Sequence, residues 1–534
     1  MKRWIAILVF VWLGVAGLDV LAFSSMSYRA FQASVSIDEK TRDDMPSGAQ
    51  DSSCLNIQKN TKSYLIADYS LKDAAFLKEK CRQAGLDLGL PVLANRIPTD
   101  SKLVAPHPSK HLLKHGRLQL QLPIDAEQTE FAVYHSEVFD QPGTINVLQI
   151  DDELVTYRTT EKTGNIHLFY HCVRGAYGTR KAAHDRNAVV YKLWDTPERT
   201  LLPDLEVQDQ MALSEAKKLA KTDCPLLIFN DLKSYAYNEQ GDEAIAHFLD
   251  TMHKYNPDKL LQADLLTPAS KRRLNRINEN ELWNETMRTK IIETLAEKQA
   301  FYRKNQMPWM IGNFQIHLAD KNRKATTLEE LEWFLSKAAA FEAGFGLDCS
   351  AETMRQHGLT DDILNTINLW ESLRLDSVFS EEQKDMFKDP YGNWHLQQAD
   401  DSTCLLYPQH VSRRYFCRST DDTWEWNSPY YGHFALRIEV EGRGSLSNPS
   451  LLIEDGTLLF PCILKAKQYL IYNFDGTAYI TDQNYNTIEE VYPQGTSYLP
   501  EGSSEVTFNC ETQSHPEVSL RFMTRGEPEE IRIP

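Results

Sequence analysis

The chain contains 534 residues, of which 42% are hydrophobic and 25% are charged. It is therefore long enough for two or three domains with apolar cores. The formal net charge of −18 at pH 7 argues against a nucleic-acid partner, because an acidic surface repels a phosphate backbone.

Residues 1–22 have the composition of a secretory signal peptide. Lys2 and Arg3 form a basic head, and an apolar run follows from Ile5 to Gly17. The pattern predicts cleavage and export to the periplasm, the cell surface or the medium, with no stable membrane span after cleavage. An uncleaved membrane anchor is the alternative, although the apolar run is short for a span. The polar segment that follows, to residue 60, predicts a leader.

Two predicted strands with a helix between them follow the leader. The segment SYLIADYS (63–70) predicts a strand that ends near Asp68, and DLGLPVLAN (87–95) predicts a strand that ends at Asn95. Apolar residues at helical spacing occupy 71–85. Strand, helix and strand at this spacing predict a parallel βαβ unit.

Residues 117–193 change to alternating apolar and polar positions, which predicts a small β module inserted into the α/β body. Its most distinctive stretch is CVRGAYGTRKAAH, at 172–184. Gly175 suits backbone shapes that other residues avoid. This favours a structural turn, in which Arg174 and His184 bind nearby carbonyls or acids. The alternative is that the module lies over the open end of the α/β body, where Arg174 would contact a substrate.

The α/β rhythm returns at residue 194 and continues to 385. Four more apolar strands alternate with helices there: PLLIFND (225–231), KLLQADLL (259–266), PWMIGNFQIH (308–317) and FGLDCS (345–350). With the two earlier strands they make six. This predicts an α/β fold of the (β/α)-barrel, TIM-like type, two strands short of eight, formed by residues 61–116 and 194–385.

Residues 394–534 predict an antiparallel β-sandwich, because short alternating strands and turns such as EDGT and FDGT fill this part of the sequence. The nine cysteines show neither CxxC pairs nor a zinc spacing. Cys404 and Cys417 flank a predicted hairpin, so they are candidates for a disulfide in an exported protein.

The sequence carries no motif for nucleotide binding, for a serine nucleophile or for a zinc protease. His107, His111 and His115 are spaced by four, which would place them on one face of a helix. Pro106 and Pro108 disfavour a helix there. We therefore expect no metal and no cofactor.

Four stretches carry a resemblance to a known group of proteins. They are ADYSLKD (67–73), AGLDLGLPVLAN (84–95), RGAYGT (174–179) and TLEELEWFLSKAAAFEAGFGLDCS (327–350). From about residue 60 to residue 375 the chain resembles a secreted glycoside-hydrolase-like barrel protein of bacterial polysaccharide-utilisation type. The resemblance implies a glycan substrate or ligand. The chain departs from it at Asn230 and Lys233, which stand where such relatives have acids, and in its low strand count; both features suit a degenerate barrel.

Glycoside hydrolysis uses two carboxyl groups, and a barrel presents its reactive groups at the C-terminal ends of its strands. We therefore predict that Asp231, Asp264 and Asp348 are catalytic, with a helix N-cap as the alternative role for Asp231. The predicted substrate-binding residues are Asp68, Asn95, Asn230, Asn313, His317, Trp309 and Arg174.

Three functions are compatible with these patterns. The leading hypothesis is an exported glycoside hydrolase that acts through carboxylates at the barrel mouth. The second is a non-catalytic glycan-binding protein on a degenerate barrel. The third is an envelope scaffold that binds another protein through the β module.

Overall fold

The computed structural model describes most of the chain beyond residue 86. The described residues are 32–34, 64–66, 87–92, 95–135, 137, 145–196, 199–229, 231–237, 241–279, 282–283, 288–304, 310–349, 351–417, 421–441, 443–454, 456–495, 498–511 and 517–533. The predicted signal peptide and the predicted site residues Asp68, Asn230 and Trp309 lie outside them.

The chain divides into two compact units. Unit 1 comprises residues 91–277, and unit 2 comprises residues 1–90 together with 278–534. Both predicted boundaries of the β module, at 117 and 193, therefore fall inside unit 1.

Three short strands come first in the chain: β1 (Gln32–Ser34), β2 (Tyr64–Ile66) and β3 (Asp87–Val92). β1 pairs with β2 in an antiparallel manner, and β2 pairs with β3 in parallel. β2 and β3 lie within the first two predicted strands and pair in parallel, as predicted. The helix predicted at 71–85 lies outside the described residues.

Unit 1 contains an antiparallel part. Its strands are β4 (Lys114–Gln119), β5 (Phe131–Tyr134), β6 (Val147–Ile150), β7 (Glu153–Thr156), β8 (Thr159–Thr163), β9 (Ile166–Tyr170) and β10 (Val189–Leu193). They form a four-stranded sheet in the order β4-β10-β6-β7 and a three-stranded sheet in the order β5-β9-β8. Val133, Leu148, Phe169 and Val190 are fully buried in one core.

The stretch 172–184 folds around the buried carboxylate of Glu153. Arg174 holds this carboxylate with two bonds, Nε to Oε1 at 2.8 Å and Nη2 to Oε2 at 2.7 Å. His184 Nε2 lies 2.8 Å from Oε2, and the N–H of Gly175 donates to Oε1 at 2.8 Å. Burial raises the pKa of Glu153, but hydrogen bonds from His184, Arg174 and backbone amides outweigh it and lower the pKa to about 2.

All five N–H donors of Arg174 serve the module itself. Besides the two bonds to Glu153, the guanidinium donates to the carbonyl oxygens of Asp125, Gln128 and Ala182, and its side chain is 1% exposed. No donor is left for a substrate. The geometry therefore favours the structural interpretation of Arg174 over its predicted role in substrate binding.

Gly175 and Thr179 hold the turn that carries this arginine. Gly175 has a φ of 62°, and a Cβ there would lie 2.8 Å from the carbonyl oxygen of Thr179. Another residue would be strained at this position. The hydroxyl of Thr179 accepts a bond from the N–H of Leu154 at 3.0 Å and donates to the carbonyl of Ala176 at 2.9 Å, which ties the turn to β7.

The second half of unit 1 is α/β. Its elements are α1 (Leu205–Leu219), β11 (Leu226–Phe229), α2 (Asp242–Tyr255), β12 (Leu260–Ala263) and β13 (Arg276–Ile277). β11, β12 and β13 are parallel and adjacent in that order. Asp204 caps α1 by accepting the N–H of Val207 at 3.1 Å. α2 packs against the strands through Phe248, whose ring meets that of Phe229 edge-on at 5.0 Å.

Unit 2 has a second parallel α/β part. Its elements are β14 (Leu282–Trp283), α3 (Arg288–Lys304), β15 (Met310–Gln315), α4 (Leu328–Ala340), β16 (Gly344–Asp348), α5 (Ala351–Gln356), α6 (Thr360–Leu375) and α7 (Glu381–Phe387). β14, β15 and β16 are parallel neighbours. Parallel strands and helices alternate in much of the α/β part, as predicted. The count of six strands is wrong, however, because β13 and β14 are two further parallel strands and no α-helix separates β12 from β13. The described strands do not show a complete eight-stranded barrel. No helix in the described ranges is both long and apolar enough to cross a membrane.

Helix α4 lies at the centre of the unit 2 core. Every residue from Glu330 to Ala340 is buried, which is unusual for a helix with charged residues. Its Lys337 is satisfied by two carbonyl oxygens, those of Phe387 at 2.6 Å and Asp389 at 2.5 Å. The ammonium group of Lys337 is therefore paired although the residue is buried.

The carboxy-terminal part of unit 2 is an antiparallel β-sandwich, as the sequence predicts. Its strands are β17 (Asn393–Asp400), β18 (Thr403–Val411), β19 (Tyr415–Cys417), β20 (Asp421–Ser428), β21 (Phe434–Glu441), β22 (Ser445–Ile453), β23 (Gly456–Leu459), β24 (Ile463–Lys465), β25 (Gln468–Tyr472), β26 (Ala478–Asp482), β27 (Thr487–Val491), β28 (Gln494–Gly495), β29 (Gly502–Glu511), β30 (Glu517–Arg525) and β31 (Glu529–Arg532). One sheet has the order β17-β18-β30-β21-β25-β26-β27, with β19 on β30 and β31 on β18; the other has the order β20-β29-β22-β23-β28, with β24 on β22. Trp426, Phe434, Phe508 and Phe522 lie in their common core.

The expected disulfide between Cys404 and Cys417 is not formed, because the two thiols belong to different cores. Both are free and buried. Cys404 packs in the cluster that contains Trp370 and Phe387, whereas Cys417 lies in the sandwich core with Phe522. The predicted hairpin does not bring these two strands together: β18 pairs with β17, β30 and β31, and β19 pairs with β30.

Glu153→Gln is expected to lower the free energy of unfolding by about 3–5 kcal/mol, because it leaves the buried guanidinium of Arg174 without its counter-charge. Glu127→Gln is the matched control. It removes the exposed partner of Lys181, so it should cost less than about 1 kcal/mol. Urea unfolding of both variants measures the difference, and equal losses would contradict the central role of the buried carboxylate.

The module should also lose stability as the pH rises. Burial lowers the pKa of His184, but hydrogen bonds to Glu153 and Asp151 outweigh it and raise the pKa above its usual value of 6.5. The stability that protonation contributes is complete below pH 6.5 and disappears as the pH passes the folded-state pKa. The urea concentration at the midpoint of unfolding should fall for the wild type as the pH rises from 6.5 through the folded-state pKa of His184. It should stay level for His184→Gln. Parallel profiles for the two proteins would refute this coupling.

Candidate functional site

Two predicted catalytic residues meet at the ends of neighbouring parallel strands in unit 1. Asp231 follows β11, and Asp264 follows β12 directly. The Asp264 carboxylate accepts the N–H of Leu232 at 3.1 Å, and its own N–H donates to the carbonyl of Phe229 at 3.3 Å. The side chain of Asp264 is therefore bound to the loop that carries Asp231.

Arg96 binds the carboxylate of Asp231 directly. Its Nη2 lies 2.6 Å from Oδ2 of Asp231, and its Nη1 donates to the hydroxyl of Thr196 at 2.6 Å. The side chain of Arg96 is 9% exposed and that of Asp231 is 30% exposed. A charge-assisted bond in a partly desolvated site is strong and favours the ionised form of the aspartate. Asp231 nevertheless keeps an exposed part that a ligand can reach.

Asn95 lies beside this ion pair. Its Nδ2 donates to the hydroxyl of Ser234 at 3.2 Å, and Ser234 in turn donates to the carbonyl of Asp231 at 2.9 Å. The Asn95 residue is 2% exposed, and no described residue hydrogen-bonds its Oδ1. A buried acceptor without a partner is rare in folded proteins and marks a place where a ligand or a water can donate.

Tyr235 provides a second buried polar atom without a partner among the described residues, its hydroxyl. Burial, together with the negative charge of Asp231, raises the pKa of Tyr235 well above its usual value of 10.0. The hydroxyl therefore stays protonated. Its ring is held by Phe248, with a centroid separation of 4.1 Å. We call the set Asn95, Arg96, Asp231, Tyr235 and Asp264 the Asp231 cluster.

Unit 2 contains the other predicted site residues at its own strand ends. Asp348 ends β16, where burial raises its pKa and the charge of Arg323 counteracts this in part. Asn313 is buried in β15 and accepts the Nδ2 of Asn278 at 3.0 Å. His317 is buried just beyond β15, and its N–H donates to the hydroxyl of Thr326 at 3.0 Å.

The structure thus joins Asp231, Asp264 and Asn95 in unit 1, and it places Asp348, Asn313 and His317 in unit 2. The sequence analysis did not select Arg96 or Tyr235. The sequence did contain a pointer to Arg96, because this residue directly follows the strand-end residue Asn95. Tyr235 lies on the loop after β11. Neither position shows from sequence alone that it contacts or faces Asp231.

The described residues contain no group of three or more histidine, cysteine or acidic side chains able to hold a metal ion. The three histidines at spacing four have separate partners. His107 lies 3.5 Å from Asp152, and His111 lies 2.8 Å from Asp204. His115 instead packs on the ring of a tryptophan at 3.9 Å.

No protein-family model matches the sequence, and no curated protein matches it. Among solved structures, the chain is similar to the glycoside hydrolase domain of PelA from Pseudomonas aeruginosa, with 11% identity, a TM-score of 0.29 and coverage of 54% of this chain and 87% of that one. It is also similar to an α-amylase from Anoxybacillus, with 9% identity, a TM-score of 0.32 and 80% of each chain covered. A β-L-arabinopyranosidase from Geobacillus stearothermophilus has 9% identity and a TM-score of 0.30, with 86% of this chain and 83% of that one covered. All three are glycoside hydrolases, the class that the sequence resemblance implies, but likeness at this level assigns neither a family nor an activity.

Tyr235→Phe is expected to keep or raise the free energy of unfolding, because it removes a buried hydroxyl that no described residue satisfies. Tyr302→Phe is the matched control, since the hydroxyl of Tyr302 donates to Glu279. Its loss should cost about 1–3 kcal/mol. Differential scanning calorimetry compares the two variants. A destabilisation by Tyr235→Phe as large as that by Tyr302→Phe would mean that the Tyr235 hydroxyl is satisfied within the protein.

Proposed function

We propose that the protein is an exported carbohydrate-active protein that hydrolyses a glycan at the Asp231 cluster. The observation that carries this proposal is the joining of Asp231 and Asp264 at the C-terminal ends of adjacent parallel strands, through the N–H of Leu232. Enzymes built on parallel α/β sheets place their reactive groups at this edge. The (β/α)-barrel arrangement of residues 61–116 and 194–385 is part of the proposal, and the parallel orders β11-β12-β13 and β14-β15-β16 support it.

The two carboxyl groups would divide the work of hydrolysis. One must attack the anomeric carbon or take a proton from water, and the other must protonate the departing sugar oxygen. Asp231 suits the first role, because Arg96 keeps it ionised and part of its side chain is exposed. Asp264 is the second carboxyl within the cluster. Asn95 Oδ1 and the Tyr235 hydroxyl are buried polar atoms of the cluster that no described residue satisfies.

A specific observation favours a second function, glycan binding without turnover. Asp231 is engaged by a guanidinium and Asp264 by a backbone N–H, and both kinds of bond favour the ionised carboxylate. An acid catalyst needs the opposite environment, one that keeps its proton. In this reading the cluster recognises sugar hydroxyl groups and no glycosidic bond breaks.

The amide substitutions Asp231→Asn and Asp264→Asn separate the two functions. If the protein is a hydrolase, the rate at which it releases reducing ends from a panel of polysaccharides should fall about 10²–10⁴-fold in each variant. The control is Asp258→Asn, which changes an exposed aspartate at the opposite end of β12 and should keep full activity. If the wild type binds a glycan on an affinity gel but releases no reducing ends, hydrolysis is excluded and the binding function stands.

Export is the part of the proposal that rests on residues 1–22 alone. Expression of the full chain in a bacterial host, followed by fractionation and amino-terminal sequencing, tests it. A mature protein outside the cytoplasm that begins near residue 23 is the expected result. A protein that stays in the cytoplasm with its first residues intact would refute export.

A further inference from the structure

A cleft of about 450 Å³ opens within unit 2, between the segment that follows β15 and the sandwich strands β21 and β25. This volume falls in the range of small-molecule sites, roughly 300–1,000 Å³. Five basic side chains line it against four carboxylates, although the whole chain carries a net charge of −18. The lining therefore carries a small excess of positive charge, although the whole chain is acidic.

Ion pairs within the cleft fix its walls. Lys324 contacts the carboxylates of both Glu439 and Glu441, the latter at 3.1 Å, and thereby ties the segment after β15 to β21. Arg323 binds Asp320 at 3.0 Å. These two basic residues already have counter-charges.

The other three basic residues of the cleft are Lys321, Arg414 and Lys467, and none of them forms an ion pair with a described residue. Lys321 lies on the segment after β15, Arg414 lies between β18 and β19, and Lys467 lies in the turn between β24 and β25. Three separate parts of the chain thus bring a basic side chain without an ion pair to one cavity. We call this cavity the cation cleft.

We propose that the cation cleft binds an acidic saccharide, with its carboxylate at Arg414 and Lys467. A guanidinium matches the two oxygens of a carboxylate and can donate to both. Sugar hydroxyl groups would donate to Glu439 and Glu441 and bond with the amide of Gln483, which also lines the cleft. The cation cleft belongs to unit 2 and the Asp231 cluster belongs to unit 1, and the inference does not rest on the proposed hydrolysis.

Charge and size together favour a saccharide over a bare anion. An inorganic ion at Arg414 would leave most of the cavity unfilled and would not use the two glutamates as hydrogen-bond acceptors for hydroxyl groups. A molecule with one anionic group and several hydroxyl groups uses both kinds of lining. A neutral sugar, in turn, would offer no counter-charge to Lys321, Arg414 and Lys467.

Titration calorimetry of the full chain with D-glucuronate and D-galacturonate tests the proposal, and D-glucose, D-galactose and inorganic phosphate serve as comparison ligands. At least one acid should bind, and the neutral sugars and phosphate should bind roughly tenfold to hundredfold more weakly, the range expected for losing a charge-assisted bond. Affinity for the acid should fall as salt is added. Failure of both acids to bind, or equal affinity for the neutral sugars or for phosphate, would overturn the proposal.

Arg414→Gln and Lys467→Gln should each weaken binding of the acid by a similar factor. The matched controls are Arg413→Gln and Lys465→Gln. Arg413 is an exposed neighbour over the ring of Tyr415, and Lys465 is exposed on β24; neither lines the cleft. An equal loss in the controls would overturn the assignment of the cleft.

Asp231→Asn separates this inference from the proposed hydrolysis. It should leave binding of the acid unchanged even if it abolishes turnover. If it removes binding of the acid as well, the acid binds at the Asp231 cluster and the cation cleft is not its site.

Discussion

A charged group that folding removes from water costs several kcal/mol unless an opposite charge or hydrogen bonds replace the water. This constraint shapes each part of the protein that carries a candidate function. The carboxylate of Glu153 is fully buried, so the turn at 172–184 is arranged to satisfy it. The Arg96 side chain is nearly buried, so Asp231 is held against it. Removing one partner from such a pair is far more costly than any single surface change, so these pairs determine where their loops lie.

The same constraint gives the aspartates at the strand ends of unit 1 and unit 2 different chemical environments. In unit 1, Asp231 is partly exposed and has a cation at 2.6 Å, an environment that favours the charged form. In unit 2, burial dominates at Asp348 and raises its pKa, with Arg323 as a partial counterweight. The sequence presents both residues alike, as an aspartate at or just beyond the end of an apolar strand. Their neighbours decide the difference.

Pairing also explains how an acidic protein can present a cation cleft. Lys324 is neutralised by two glutamates of the sandwich, and this bridge positions the segment after β15 beside β21. Lys321, Arg414 and Lys467 form no ion pair with a described residue. Among the basic side chains of the cavity, Lys324 and Arg323 therefore hold the walls, and the proposed contacts with an acid fall to Arg414 and Lys467.

The local pattern was sufficient to predict the parallel strands at 225–231 and 345–350 and the carboxy-terminal sandwich, because period-2 and period-3.6 spacings arise from the backbone of each element alone. It also indicated Asp231 and Asp264, since the end of an apolar strand is a local feature. Cys404 and Cys417 show the limit of such reasoning: they are close in sequence, but their side chains pack into separate cores.

By itself, the sequence determined the type and order of the longer helices and strands, though not β13 or β14, and the strand-end positions of the candidate carboxylates. Only the tertiary structure decided which charges meet. Arg96 and Asp231 are separated by 135 residues, and the bond between them depends on how β3 and β11 are continued by their loops. Likewise, all five donors of Arg174 turn inward because Glu153 lies beneath them. Electrostatic pairing acts through space, so no periodicity along the chain can encode it.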